Sequence, residues 1–480
     1  MRRLLLLLLA SIIGLVGLVQ IAPDPVEGPE FGDSDISEGD GAVASPSVWY
    51  CPWVEAGDVV DTDLLVASDV TVDVGMTLLD PISNTDPTEF VFNMVGPGAT
   101  GVDVGNIARR GESPATVEVS DGPAAVASLQ RSDAFLAGDR CTVSVPKVWY
   151  LTGGSTKTGT FTEIRLFNPF ADNAEVTITA YSEFNLDLIA DLEGIDVAGR
   201  SWTTIDLEPF LPFRDEMAFT IEASSGLVIP SIIRSDDRGE AMWPGTAPSQ
   251  TWEFPIVTPG QLEPFVAVMS AGDDDITVTV DIVTETGTIT AAREIVIDSS
   301  APALIPLADI AAPPFGVRLR ASRPIAASVL AVVPSGDNDE AGEGEGGEGL
   351  ETTTTVVDET TTSTTPIVES EFIRGLAGMV GATAPSTKWV VPLDTLLDAT
   401  TTLWIMNTTG ELATVNVQPL SEGDLPISSL TIEPGTTIGF AVDVGIGTFG
   451  YSVESDTPVS VAWEIVGDRG VALVAGIAAQ

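Results

Sequence analysis

The most explicit chemical pattern in the chain is a serine with lysines close behind it. Ser144-Val145-Pro146-Lys147 has the spacing of a nucleophile and its base, and Lys157-Thr158-Gly159 follows it. That chemistry needs the serine to open a helix, so that both groups share one face. Here Pro146 sits inside the pattern and both motifs fall in predicted strands, which disfavours it. The chain has no histidine. Ser-His-Asp and Cys-His nucleophilic sites, His-metal clusters and ordinary catalytic zinc sites are thereby excluded. Carboxylates are abundant, yet no pair stands out for glycoside hydrolysis, so a carboxylate-pair hydrolase is the least favoured reading. Two acidic groups could hold a cation such as calcium. One is Asp33, Asp35, Glu38 and Asp40; the other is Asp273, Asp274 and Asp275. Neither has the spacing of an EF-hand loop. No cofactor motif is present, and no catalytic residue is assigned.

The elements that must position these residues come from a repeat. Trp49, Trp149, Trp252 and Trp389 each open the same succession of segments, with a period of about one hundred residues once an insertion is removed from the third copy. An aromatic opening strand (VWYCP, VWYLT, WEFP, WVVP) is followed by a strand of strict alternation: VTVDV, EVTITA, DITVTVDI and ATVNVQ. Alternation of β-branched and polar residues is the pattern of a half-buried strand. Next comes a strand, a Ser-centred turn and a second strand: VEVSDGPAAVAS, TIEASSGLVIPS, VRLRASRPIAAS and YSVESDTPVSVA. Turn formers flanked by apolar alternation predict a hairpin there. A closing strand completes each copy.

The expected fold is all-β: four tandem immunoglobulin-like β-sandwich repeats after an N-terminal export or anchor helix. A β-propeller, whose blades repeat at about 40–50 residues, is disfavoured by the period. The divisions are 1–23 signal peptide or membrane anchor, 24–46 flexible acidic stalk, 47–146, 147–250, 251–388 and 389–480. The third division carries a Gly/Glu/Thr-rich insertion at 336–370 whose composition predicts disorder. The opening tryptophans, which recur at one position, are expected in cores. Trp53 and Trp243 break the pattern and are the candidate surface residues for stacking on a ligand such as a sugar ring.

Compartment follows from the start of the chain and its charge. Arg2 and Arg3 precede an apolar run from Leu4 to Val19, the layout of an export signal. The cleavage site is poor, so secreted and membrane-anchored forms are both open. With 70 acidic residues against 20 basic ones, net charge -50 and no histidine, the surface cannot neutralise a phosphate backbone, which excludes nucleic acid as partner. The two cysteines, Cys51 and Cys141, fall in the first repeat. In an exported domain they are expected to form a disulfide.

On the Trp-Tyr-Cys-Pro opening, the repeated apolar and Ser-turn segments and the Asp/Thr/Val-rich composition, residues 48–480 outside the insertion resemble a family of exported actinobacterial proteins of unknown function. The resemblance implies a cell-envelope protein of tandem β-domains and brings no catalytic residues. The expectation is a rod of four modules that binds or scaffolds, with envelope polysaccharide or protein as partner and the membrane engaged through the N-terminal helix if uncleaved. A polysaccharide-binding array and an accessory factor of envelope glycan assembly are the alternatives.

Overall fold

The computed structural model describes residues 47–479, apart from 333–374 and short breaks at 58, 80–86, 109–110, 188, 258–261, 397, 422–426 and 443–446. The expected export helix, the expected stalk with its acidic group and the insertion lie outside the described residues. Among the described residues the protein is all-β; the helical elements are the 3-10 turns Val104–Asn106 and Ala190–Leu192.

One strand order recurs four times. In the first segment the opening strand Ser47–Cys51 pairs with Ala115–Ser120, then Val72–Leu78, then Thr88–Met94. The facing sheet runs Leu136–Arg140, Ala125–Arg131, Asp61–Ser68, Gly98–Asp103. Equivalent orders are built around the opening strands Val148–Gly154, Ser249–Phe254 and Ser386–Thr395. The alternating strands bury alternate residues as their pattern demands: along Ala174–Ser182, Val176, Ile178 and Ala180 face the core while Glu175, Thr177 and Thr179 face outward. In the first segment the two sheets enclose a core of Trp49, Val74, Val117, Leu64, Val66 and Val126.

The predicted hairpin is not one. Its two halves do not pair; each joins a different sheet, so the segment crosses from one sheet to the other. Ala115–Ser120 lies beside the opening strand and Ala125–Arg131 beside the closing strand. In the third and fourth segments the crossing is one unbroken strand, Gly316–Val332 and Gly447–Gly467. Gly122-Pro123 interrupts it in the first and Gly226, at φ 66°, in the second. Turn residues thus mark a bend between sheets, which needs the same backbone freedom as a hairpin. The hairpin lies one element later, between the crossing and closing strands. In the third segment Val332 pairs with Leu376, so the chain leaves and re-enters this hairpin around residues 333–374.

All four opening tryptophans are buried. A buried indole N–H needs an acceptor. Trp149, Trp252 and Trp389 donate to the backbone carbonyls of Val228, Ile325 and Val459 at 2.9, 3.0 and 2.9 Å. Each bond ties an opening strand to its crossing segment. The expected disulfide joins Cys51 to Cys141. It closes a loop of 90 residues, worth roughly 4–5 kcal/mol by the chain-entropy estimate.

Each sheet pair is open at the edge where its opening and closing strands lie, and the outer face of the next pair's second sheet covers that edge. The fourth pair is covered by the first: Leu65, Ala127, Leu129 and Leu136 lie in one buried cluster with Trp389, Val453 and Trp463. The closing strand Leu136–Arg140 packs against both Gly239–Pro244 and Gly470–Ala475, and Leu376–Val380 does likewise. The four segments therefore close a circuit, which overturns the rod, in which the first and fourth would not meet. Close approach needs small residues. A Cβ on Gly138 would stand 2.6 Å from Val474, and one on Gly378 2.6 Å from the Trp243 ring.

Two outcomes follow. Trp149→Ala or Trp252→Ala should lower unfolding free energy by about 3–5 kcal/mol, read from denaturant titration. Leu129→Asp places an unpaired carboxylate in the fourth pair's core. Hydrogen exchange should then accelerate across 389–479 more than across 148–254; uniform protection would contradict the shared core.

Candidate functional site

Trp53 and Trp243 are not at the surface. Their exposures are 4% and 1%, which overturns their reading as surface ligand-stacking residues. Trp53 lies with Ala137, Ile233 and Met242 where the first pair meets the second. Trp243 donates to the Thr152 carbonyl at 3.0 Å and lies against Gly378 of the third pair. Both fill open edges that the next pair closes. Asp273, Asp274 and Asp275 sit in an exposed turn. Asp274 pairs with Arg323, and Asp275 accepts the Ser299 amide at 3.2 Å. Among the described residues no three acidic, cysteine or histidine side chains are grouped as metal ligands.

What the structure does assemble is polar chemistry at the junctions. The centre of the covering face is held by Leu65, Arg165, Ala267 and Trp404 in the four segments, each on the second sheet. Three are apolar; Arg165 is fully buried. Its guanidinium carbon lies 3.7 Å from the Trp53 ring centroid, a cation-π contact away from water. The group pairs with Glu112, donates to Thr204 Oγ1 at 3.2 Å and reaches the Pro52 carbonyl at 3.4 Å. Glu112 also accepts from the Trp202 indole at 2.8 Å and Thr204 at 3.1 Å. Burial lowers the Arg165 pKa, opposed by Glu112, Glu55 and Glu163. Burial raises Glu240 to about 8, with Glu55 and Glu163 adding like charge. The signal for this cluster was the lone arginine between Ile164 and Leu166 in an apolar strand.

The junction of the fourth and first pairs has a cleft of about 490 Å³. Asp61, Arg131, Asp133, Asp398, Asp468 and Arg469 line it. Arg131 binds Asp61 at 3.0 Å and Asp63 at 2.5 Å, and approaches Asp394 at 3.7 Å. Burial raises Asp63 to about 6 against the pull of Arg131. Glu464, beside Trp404 on the fourth pair's second sheet, is raised to about 7 by burial. Chemically the cleft presents carboxylates that accept and guanidiniums that donate, groups that can both bond hydroxyls.

These three acids bind protons more tightly folded than unfolded, where 4.5 for glutamate and 3.8 for aspartate apply. Stability they confer is complete below the unfolded values and is lost as pH rises through about 6, 7 and 8. The melting temperature should therefore fall between pH 5 and pH 8.5. Glu240→Gln should flatten the upper part of that decline. A melting temperature that rises over the same interval would contradict the assignment.

No curated protein matches the chain. Residues 123–371, just over half its length, match a family of unknown function (DUF5719). They run from the crossing segment of the first sheet pair, through the second, into the third. On that match the chain belongs to this family of unknown function.

Proposed function

We propose that the chain is an exported, non-catalytic envelope protein in which four immunoglobulin-like sheet pairs form one binding or scaffolding platform. In this reading its divisions are 47–146, 147–250, 251–388 and 389–480, carried behind an N-terminal signal or anchor and an acidic stalk. The family resemblance read from the sequence, to exported actinobacterial proteins, belongs to the same proposal. A disulfide between the two cysteines supports an oxidising compartment.

The observation that carries the reading is the sharing of cores. Arg165, Glu253 and Asp394 each hold one sheet pair to the next, so these buried polar groups are structural. Recognition then falls to exposed surface, and the first–fourth cleft is one place where such surface is concave and polar. Its carboxylates and guanidiniums favour a polyhydroxylated partner, which supports envelope polysaccharide over a protein ligand.

The test is retention of the purified chain on isolated cell envelope, with and without exchange of the exposed cleft charges as Asp468→Arg with Arg469→Asp. Retention should fall several-fold in the double variant at unchanged melting temperature. Retention no better than an unrelated acidic protein would sink the proposal. So would release of sugar from envelope polymer that one carboxylate substitution abolishes.

A further inference from the structure

A second hollow, of about 390 Å³, lies where the third sheet pair meets the fourth. Its lining includes Arg318, Arg320, Asp281, Thr288, Thr290 and Thr408. Arg318 and Arg320 are two apart on one strand, so their side chains share a face, with Cα atoms about 6.5–7 Å apart. In a chain with 20 basic residues against 70 acidic ones, two neighbouring guanidiniums in one hollow are a concentration of donors.

Each guanidinium rests on a carboxylate buried beneath it. Arg320 grips Asp281 with two bonds of 2.9 Å. Asp281 takes a third bond, from the Ala291 amide at 2.7 Å. Ala291 reaches it with φ 48°, a left-handed backbone that alanine rarely adopts, beside a register shift between Val280 and Ile282. Strain of this kind persists where the surroundings hold a residue in place, and such residues cluster at ligand sites. Glu253 accepts from Thr408 at 2.5 Å, bonds Ser460 and approaches Arg318 at 3.6 Å. The Glu253 and Asp281 side chains are 1% and 6% exposed, whereas Arg318 and Arg320 are 33% and 45% exposed. Arg318 also donates Nη1 to the Thr408 carbonyl at 3.4 Å. The acids are thus saturated by their neighbours, and part of each guanidinium side chain stays exposed. A carboxylate under a guanidinium fixes its plane and leaves the outer N–H edge for a second partner.

We propose that this hollow binds the oxyanion of a polyol: a carboxylate or phosphate group on a sugar or related unit, held by the outer edges of Arg318 and Arg320. The Thr290 hydroxyl would donate to a remaining oxygen of the anion, while Thr408 and Thr288, whose protons go to Glu253 and to the Gly435 carbonyl, would accept from the hydroxyls of the polyol. Net charge across the site is balanced by Glu253 and Asp281, so recognition rests on directed N–H bonds rather than long-range attraction. The inference stands on its own geometry and does not depend on the reading of the first–fourth cleft.

The test is calorimetric titration of the full chain with D-glucuronate, glycerol phosphate, inorganic phosphate and D-glucose. At least one of the two polyol anions should bind saturably and at least about tenfold more tightly than glucose; which one binds separates carboxylate from phosphate sources. Arg320→Gln and Arg318→Gln should each weaken it about tenfold or more, and Arg320→Lys less. If Arg320→Gln lowers the melting temperature or fails to fold, Arg318→Gln and Thr290→Val decide. Thr290→Val should weaken binding about threefold with the fold intact. Equal affinity for glucose, no binding of either polyol anion, binding of inorganic phosphate alone, or variants that bind as the parent does would each overturn the proposal.

Discussion

Everything in this fold depends on one constraint: no sheet pair completes its own core. A two-sheet layer must cover its apolar interior on every side, and here the edge formed by the opening and closing strands is left for the neighbour. The neighbour covers it with the outer face of its second sheet, which is why that face is apolar where an isolated pair would present polar residues. Leu65 and Leu129 show this most plainly, since they belong by sequence to the first segment and by packing to the fourth. Repeating one head-to-tail contact gives either an open filament or a closed ring. The contacts between the first and fourth segments select closure.

Closure also explains where polar chemistry is buried. Leu65, Ala267 and Trp404 make three junctions apolar at their centre, and the first–second junction places Arg165 there instead. An isolated buried guanidinium costs several kcal/mol, so it must be surrounded by acceptors. Trp53, Glu112, Thr204 and the Pro52 carbonyl supply them. The consequence is crowding of Glu55, Glu112, Glu163 and Glu240 around one cation, and burial, with like charge added, raises the proton affinity of Glu55, Glu163 and Glu240. Removing one partner of such a pair would leave an uncompensated buried charge, so Arg165 and Glu112 hold the first–second junction together as a pair.

The two misplaced tryptophans carry a related lesson. Trp53 and Trp243 stand outside the repeat pattern, and a residue outside the pattern is a reasonable surface candidate. They are buried because the open edge of one sheet pair is the contact surface of the next, and the aromatic rings fill that gap. Segments differ where their neighbours differ. In a closed circuit, variation between repeats therefore reads junction as readily as ligand site.

Sequence by itself determined the strands, their alternation, the fourfold recurrence and the disulfide. Each rests on local periodicity or on the chain holding two cysteines, and neither needs knowledge of distant partners. It also located the crossing segments, although their turn residues cannot distinguish a bend between sheets from a hairpin, because both require the same backbone freedom at Gly122 and Gly226. Only the tertiary structure decided which strands pair, that the first segment seals the fourth, and which arginines meet which carboxylates. The reason is physical: side-chain direction along a strand is set by the pleat, but burial at a junction is set by the surface of a different segment, distant in the chain.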